Sequence, residues 1–221
     1  MRRSPAGLEP QLIAQTSTEW VVLKPPGMPA QADRTGDLDI LTWVRNETGE
    51  QPYLIHRIDR PVGGIMVIAK NSTSAARWSK RFRSGKVHKR YLAITQPSVY
   101  PPFGELRHYL RKDARSHRAR VYYRAVPQAQ LSVLRYQTLE TVAPYSLILV
   151  EPETGRFHQI RAQLAELGSP IVGDVKYGYP PPAPDPASIA LWAWQLEEWK
   201  VLPPIEKFPW KLFSPVLLRL Q

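Results

Sequence analysis

The chain has 221 residues, a length that fits one large domain or two small ones. It contains no cysteine, which excludes disulfides and thiolate-bound zinc, and no apolar run approaches the roughly 20 residues that a membrane-spanning helix needs. Its 30 lysines and arginines outnumber 19 acidic residues, and the net charge of +11 favours a polyanionic partner: RNA, DNA or an acidic membrane surface.

The first predicted elements are a flexible segment over residues 1–18 and a short strand. The basic N-terminus is not followed by the apolar stretch of a signal peptide, so we expect a cytoplasmic protein. In "EWVVLKPPG" a strand from Trp20 to Leu23 ends at the proline-glycine run. Over residues 38–48 the apolar positions have helical spacing, and Asp37 is the candidate N-cap.

The middle of the chain reads mainly as strands. "GIMVIAK" predicts a buried strand, Ser72 caps a helix that ends at Gly85, and "VHKRYLAIT" is β-branched and aromatic like a strand. Between residues 105 and 150 we predict four further strands, in "GELRHYLRK", "RARVYYRA", "LSVLRYQTLE" and "YSLILVEP".

The last third contains one clear helix pattern. It is "TGRFHQIRAQLAELG", between Thr154 and Gly168. "IALWAWQLEEW" and "PVLLRL" predict strands, and the proline-rich "YPPPAPDPAS" predicts a surface loop. Strands outnumber helices, so the predicted class is α+β with a mainly antiparallel sheet, in a single folded domain over residues 19–221.

Two segments concentrate the positive charge. Residues 77–90 and 107–124 together hold 14 of the 30 lysines and arginines, against the single acid Asp113. Such runs are often only solvated surface. Tyrosines lie among the arginines of the second segment, however, and guanidinium planes with aromatic rings bind phosphates and unpaired bases. This composition favours nucleic acid over the membrane surface.

Chemical motifs of other enzyme classes are missing from the sequence. The five histidines are not spaced as a metal pair, and neither G-x-S-x-G nor a phosphate-binding glycine pattern occurs. Asp59 in "IHRIDRPVGG" attracts attention by elimination, although it also fits a salt bridge with Arg57 or Arg60, or a turn cap. His158 and Arg161, three residues apart, equally fit the polar face of a helix.

Several motifs in order resemble those of the RluA-type RNA pseudouridine synthases. They are "KPPGMPAQ", "HRID" with "RPVGGIMVIAK", "KRYLAI" and "GRFHQIRAQLAELGSPIVGDVKYG", and the similarity extends from about Val21 to about Leu220. "GELRHYLRKDARSHRARV" resembles the basic hairpin of short members. The resemblance implies a central, mostly antiparallel sheet flanked by helices, with an RNA-binding cleft across its middle.

The resemblance also implies the reaction, which converts uridine to pseudouridine in RNA without a cofactor. Asp59 matches the family's essential aspartate, which acts covalently in detaching uracil from ribose. Whether it attacks the sugar or the base stays open. Tyr91 matches the tyrosine that stacks on the flipped base, and Arg161 the arginine that pairs with the aspartate.

Other positions are implied to bind the substrate. Arg57 would fill the place that the flipped base leaves, and Leu191 would form an apolar wall of the uracil site. His56 and His158 would orient neighbouring groups rather than carry protons. The full set of expected substrate-binding residues is His56, Arg57, Ile58, Lys89, His158 and Leu191.

The sequence departs from the family pattern at four positions. Ile58 replaces the usual leucine and conserves volume, Gly63 replaces a serine at the turn, and Phe157 stands where a polar residue is common. Trp192 follows Leu191 where histidine is usual. None of these removes the Asp59, Tyr91 and Arg161 set.

We expect a monomer whose partner is tRNA or rRNA, with no DNA or membrane partner. Two other classes remain open at this point. One is an RNA-binding or RNA-chaperone protein that keeps the fold without catalysis. The other is a different enzyme on nucleic acid, such as a glycosylase or a nuclease, and the missing metal-ligand spacing argues against the nuclease.

The basic segments predict RNA binding that weakens steeply with salt. Because each neutralised phosphate releases a counterion, the logarithm of the RNA affinity should fall linearly with the logarithm of the salt concentration. Filter binding between about 50 and 200 mM salt measures this slope. An affinity that stays flat over that range contradicts the prediction.

Overall fold

The computed structural model describes residues 7–220, which divide into two compact units. The first unit comprises the residues up to Lys89 together with Trp192–Pro203, and the second comprises Arg90–Leu191 and the residues from Pro204 onward. Strands predominate in both, and nearly all strand pairs are antiparallel, which confirms the predicted α+β class. No helix within residues 7–220 is long and apolar enough to cross a membrane.

The first unit is built around two strands that are buried on both faces. Strand β2 is antiparallel to β1 and β4, β3 pairs with β4, and β11 pairs with β10. β4 and β10 form a parallel pair. The strands are β1 Gln11–Gln15, β2 Glu19–Lys24, β3 Tyr53–Leu54, β4 Gly63–Ala69, β10 Leu191–Leu196 and β11 Trp199–Lys200.

Most of these strands match the sequence prediction. The apolar runs "WVVL" and "GIMVIA" form β2 and β4, and every residue of both strands is buried. The segment 1–18 was expected to be flexible; residues 1–6 lie outside the described residues, and Gln11–Gln15 form β1, which the sequence pattern did not reveal.

The two helices of the first unit have other N-caps than predicted. Helix α1 spans Ile40–Thr48, and its N-cap is Asp39, whose carboxylate accepts hydrogen bonds from Leu41 N and Thr42 N. The prediction of Asp37 as the cap is wrong, because that carboxylate forms an ion pair instead. Helix α2 spans Ser72–Arg83 and is capped by Asn71, so Ser72 is its first residue rather than its cap.

The second unit contains an antiparallel sheet in the order β5-β9-β8-β6-β7. The strands predicted between residues 87 and 150 are confirmed. Strands β6 and β7 form a hairpin with β7 at the end of the sheet order. The strands are β5 Lys89–Thr95, β6 Phe103–Asp113, β7 Arg118–Tyr122, β8 Gln130–Val142 and β9 Tyr145–Pro152.

Helical segments of the second unit are short. α3 spans Gln159–Glu166 and is shorter than the predicted helix, because His158 before it has a positive φ of 53°. Val175–Tyr177 and Trp210–Phe213 are 3₁₀ helices. Residues 179–188 contain no helix or strand, as predicted for "YPPPAPDPAS".

The predicted strand "PVLLRL" is wrong, since Ser214–Leu218 form helix α4. Proline is well tolerated in the first turn of a helix, where Pro215 stands. Phe213 and Leu217, four residues apart, are both buried on one side of the segment. The apolar spacing is therefore helical rather than alternating.

Two departures from the family pattern meet at the pairing of β4 with β10. Trp192 lies opposite Gly63 in the parallel register. A Cβ placed on Gly63 would lie 2.3 Å from the indole ring of Trp192, far closer than real contacts allow. Trp192 is 2% exposed, and its indole N–H donates to Val201 O. The glycine therefore leaves the space that the tryptophan ring fills.

Substituting Gly63→Ser should destabilise the protein by about 1–3 kcal/mol, because the added atoms meet a ring that cannot easily move. Urea unfolding measures the change. The matched controls are Trp192→His and the double variant. Since the smaller ring relieves the clash, the double variant should lose less stability than the sum of the two single losses. Additive losses contradict this explanation.

Candidate active site

Asp59 lies in the segment between β3 and β4, where neighbouring side chains point to different surroundings. The carbonyl of Asp59 accepts a hydrogen bond from Val62 N at 3.0 Å and closes a turn. The Asp59 side chain is half-buried, that of Arg57 is exposed, and Ile58 is only 5% exposed. Ile58 thus anchors the segment in the core while Arg57 and Asp59 face outward.

His56 fixes the start of this segment to β4. Its Nε2 accepts a hydrogen bond from Val67 N at 3.1 Å, and its ring stacks on Phe82 with centroids 4.7 Å apart. Burial, followed by the nearby charge of Lys89, lowers the pKa of His56 to about 3. The imidazole is therefore neutral at pH 7 and carries its proton on Nδ1. This agrees with a role in orientation rather than proton transfer.

The two arginines beside Asp59 differ in their partners. The guanidinium of Arg60 binds Asp33 at 3.1 Å and also pairs with Asp37. These partners raise the pKa of Arg60, with the Asp37 hydrogen bond contributing most. Arg57 has no ion-pair partner within residues 7–220. Neither Arg57 nor Arg60 therefore forms the alternative salt bridge with Asp59 within residues 7–220.

Lys24, at the end of β2, lies beneath the Asp59 turn. It is fully buried, and its Nζ donates to the carbonyls of Pro25 at 3.0 Å, Met28 at 2.7 Å and Arg60 at 3.3 Å. Burial lowers the pKa of Lys24 to about 7, although the charge of Asp59 acts to raise it. The backbone N–H of Gly27 also donates to Arg60 O at 2.8 Å. The "KPPG" segment therefore supports the turn that carries Asp59.

Tyr91 lies on β5 and Leu191 is the first residue of β10, and both belong to the second unit. Tyr91 pairs with Val150 in the register of β5 and β9 and is half-buried, whereas Leu92 next to it is fully buried. Leu191 is 3% exposed, and its role as an apolar wall of the uracil site stays a prediction. Both residues stand on rigid strands, as precise positioning requires.

Arg161 on α3 is held by a buried two-point ion pair. Its Nε and Nη2 donate to the two carboxylate oxygens of Asp174 at 2.7 and 2.9 Å. The side chains are 5% and 1% exposed. Such a fork fixes the plane of the guanidinium as well as its position. The predicted pairing of Arg161 with Asp59 joins residues of two units and stays a prediction.

His158 precedes α3 and contacts two aromatic rings. It stacks on Phe157 with centroids 3.8 Å apart, and its Nδ1 lies 2.9 Å from the hydroxyl of Tyr177. The ammonium of Lys112 lies 4.9 Å from the ring centroid of Phe157. Phe157 is thus packed between its neighbours, and the imidazole of His158 is held in place. Its role in orienting neighbouring groups stays a prediction.

Ion pairs reduce the number of basic side chains that can meet a partner. Within the two basic segments, Arg77, Arg81, Arg90, Arg107 and Arg120 bind glutamate or aspartate. Seven others are exposed and have no ion pair within residues 7–220: Lys80, Arg83, Lys86, Lys112, Arg115, Arg118 and Arg124. Nor are three His, Cys, Asp or Glu side chains grouped to hold a metal in this part of the chain.

A family model described as RNA pseudouridylate synthase matches residues 19–166, which include Asp59, Tyr91 and Arg161. The chain belongs to the RNA pseudouridylate synthase family. The resemblance found in the sequence is therefore confirmed, and the protein is an isomerase that acts on RNA.

Relatives act on two kinds of RNA, as their names state. The chain is 32% identical over 184 residues to tRNA pseudouridine synthase C of Yersinia pestis, covering 76% of this chain and 70% of that protein. It is 29% identical over 133 residues to ribosomal large subunit pseudouridine synthase D of Borreliella burgdorferi, covering 60% of this chain and 40% of that one.

A solved structure supports the fold of this pseudouridine synthase. Human RNA Pseudouridylate Synthase Domain Containing 4 superimposes with a TM-score of 0.71 at 26% identity, and the match covers 95% of this chain and 92% of that one. The expected family fold, a mostly antiparallel sheet flanked by helices, is thereby confirmed.

Sequence reasoning missed three residues that support the site. Lys24, Asp174 and Tyr177 all lie inside motifs quoted for the resemblance, "KPPGMPAQ" and "SPIVGDVKYG". The signals available in the sequence were a lysine directly before a proline turn and, in "SPIVGDVKYG", a single acid and a single tyrosine. Their importance comes from contacts with distant residues.

The pKa of His56 predicts a pH dependence of stability. Between pH 6.5 and about 3 the unfolded chain binds a proton at this histidine and the folded chain does not. Stability is therefore fully present above pH 6.5 and decreases as the pH falls toward 3, by about 1.4 kcal/mol per pH unit from this group.

The test compares wild type with His56→Gln, whose amide oxygen keeps an acceptor for Val67 N. Urea unfolding at several pH values between about 4 and 7 gives the slope of stability against pH. The variant should show a slope smaller by about one proton. Equal slopes in both proteins would mean that His56 titrates normally in the fold.

Proposed function

We propose that this pseudouridine synthase isomerises a specific uridine in structured tRNA or rRNA, with Asp59 as the covalent carboxylate. The bond from uracil N1 to ribose C1′ breaks, the base turns, and C5 bonds to C1′. The proton on C5 leaves to solvent and N1 gains one, so no oxidant or cofactor is needed. Attack of Asp59 on the ribose and attack on the base are both compatible with this balance.

The arrangement around Asp59 carries the proposal. Every neighbour of this carboxylate in "HRIDR" has another structural task except Arg57: His56 binds β4, Ile58 is buried, and Arg60 binds Asp33 and Asp37. The buried ammonium of Lys24 and the backbone of Gly27 hold the turn from below. Such a support shell is what keeps a reacting group in place.

Arg57 is proposed to enter the RNA when the target base leaves its stack. It is exposed and has no ion-pair partner among the described residues. Its planar, permanently charged side chain can stack on neighbouring bases and bind phosphate. Extruding a base costs about a few kcal/mol, and a side chain that fills the gap offsets part of this cost.

Tyr91, Arg161 and Leu191 are proposed to surround the flipped uracil. Tyr91 is half-buried on β5, so its ring is partly accessible for stacking. Arg161 is held by Asp174 and presents a fixed charge, which would pair with Asp59 and keep that carboxylate ionised. The buried side chain of Leu191 supplies apolar surface. Lys89 and His158 complete the proposed substrate-binding set.

Seven exposed basic residues, none with an ion pair in the part of the chain that the structure describes, are proposed to bind the RNA backbone. They are Lys80, Arg83 and Lys86 near the end of α2, and Lys112, Arg115, Arg118 and Arg124 in and after the hairpin β6–β7. Phosphate contacts fix the position of an RNA without reading its sequence. The target uridine would then be chosen by RNA shape.

The proposal is tested by tritium release from RNA labelled at uridine C5, using tRNA and rRNA pools separately. The RNA should come from cells that lack this protein, so that the target uridine is unmodified. Wild type should release tritium from one pool, and Asp59→Ala and Asp59→Asn should lower the rate by about 10³-fold or more, since covalent catalysis is lost. Asp185→Asn, which changes a loop carboxylate elsewhere, is the matched control.

Each other outcome has a distinct meaning. Full activity of Asp59→Asn contradicts the proposed role of this carboxylate. RNA binding without release by wild type, on either pool, favours a binding protein that keeps the fold. Release of free uracil, or strand cleavage, would indicate a glycosylase or nuclease instead.

A further inference from the structure

The short 3₁₀ helix Val175–Tyr177 contacts the hairpin β6–β7. The backbone N–H of Ala119 on β7 donates to the hydroxyl of Tyr177 at 2.7 Å. The adjacent Lys176 donates from Nζ to the carbonyl of His117, in the hairpin turn, at 3.4 Å. Two neighbouring residues therefore hold the strand and the turn of the same hairpin.

The same tyrosine also contacts the residues that place Arg161. The guanidinium carbon of Arg161 lies 5.1 Å from the ring centroid of Tyr177, and the Tyr177 hydroxyl lies 2.9 Å from His158 Nδ1. Because this hydroxyl accepts from Ala119, its own proton is available to the imidazole. The backbone N–H of Tyr177 donates to Asp174 O at 2.9 Å. Tyr177 thus touches Arg161, its ion-pair partner, and the residue before α3.

Packing reinforces this connection. Leu110 of β6, Ala119 of β7 and Ala162 of α3 form one buried apolar cluster, against which Phe157 and Tyr177 pack. Interiors packed in this way transmit small displacements. A shift of the hairpin by a fraction of an ångström therefore reaches the first turn of α3, where Arg161 stands.

We propose that Tyr177 is a positioning residue that couples RNA contact by the hairpin β6–β7 to the placement of Arg161. The inference rests on the proposed function, in which the hairpin arginines bind RNA and Arg161 acts at the uracil site. Tyr177 itself does not touch the reacting atoms. Its hydroxyl joins the hairpin to α3, and its ring supports the guanidinium.

Tyr177→Phe isolates this role because it keeps the ring and removes only the hydroxyl. The phosphate-binding arginines are unchanged, so the RNA dissociation constant should stay within about twofold of wild type. The single-turnover rate of tritium release at saturating RNA should fall by about tenfold or more, because small errors in placement cost rate steeply. If the hydroxyl only stabilised the fold, Tyr177→Phe would lower the thermal stability, and the tritium-release rate and the RNA affinity would change by the same factor.

Tyr136→Phe is the matched control. It also removes a single hydroxyl from a ring that stays in place, and that hydroxyl donates to Pro101 O at 3.1 Å. Tyr136 lies on β8, is 4% exposed and belongs to neither the proposed site nor the hairpin β6–β7. This variant should keep both the wild-type affinity and the wild-type rate. A Tyr177→Phe rate within twofold of wild type, or an equal loss in Tyr136→Phe, overturns the proposal.

Hydrogen exchange separates failure of this inference from failure of the proposed function. RNA binding to wild type should slow amide exchange over Gln159–Glu166, and Tyr177→Phe should lose this protection while still binding RNA. If wild type binds RNA but releases no tritium, the proposed reaction fails and the exchange result alone decides the coupling. Equal protection in both proteins, or none in wild type, overturns it.

Discussion

A buried ammonium group supports the part of the molecule on which the candidate site depends. Lys24 is fully buried, and three carbonyl oxygens surround its Nζ. Removing a charge from water costs several kcal/mol unless polar partners replace the water. The end of β2 and the turn after Asp59 are therefore held together, because only their combined carbonyls satisfy the lysine. Its pKa of about 7 reflects that incomplete replacement, opposed by the charge of Asp59.

The overall fold was easier to predict from the sequence than the ends of its helices. Apolar runs such as those of β2 and β4 are buried on both faces, so the sequence signal was strong. The cap of α1 was missed because Asp37 and Asp39 look alike locally. The choice between them depends on Arg60, which is distant in sequence and takes Asp37. The C-terminal helix was missed because Leu217 is its one buried residue, and together with Phe213 just before it the apolar spacing covers a single turn.

In the candidate site, too, the sequence identified some residues and missed those that hold them in place. Asp59, Tyr91 and Arg161 could be named because they lie in motifs that resemble a family, and the family model covers all three. The groups that hold them could not, since the Lys24 to Arg60 bond spans 36 residues and the Ala119 to Tyr177 bond spans 58. Charge counts were misleading in a similar way. Several arginines of the basic segments are neutralised by partners that only the folded chain brings together.

The edge strand β7 shows how one surface can serve two needs. The end strand of a sheet presents unpaired backbone groups that can capture a strand from another molecule. Here the Tyr177 hydroxyl occupies the Ala119 N–H, and the exposed side chain of Arg118, which has no ion pair within residues 7–220, lies next to it on the same strand. Like charges on two copies repel, so the edge resists self-association in the absence of nucleic acid. The positive charge proposed to attract a polyanion therefore also protects the protein from aggregation.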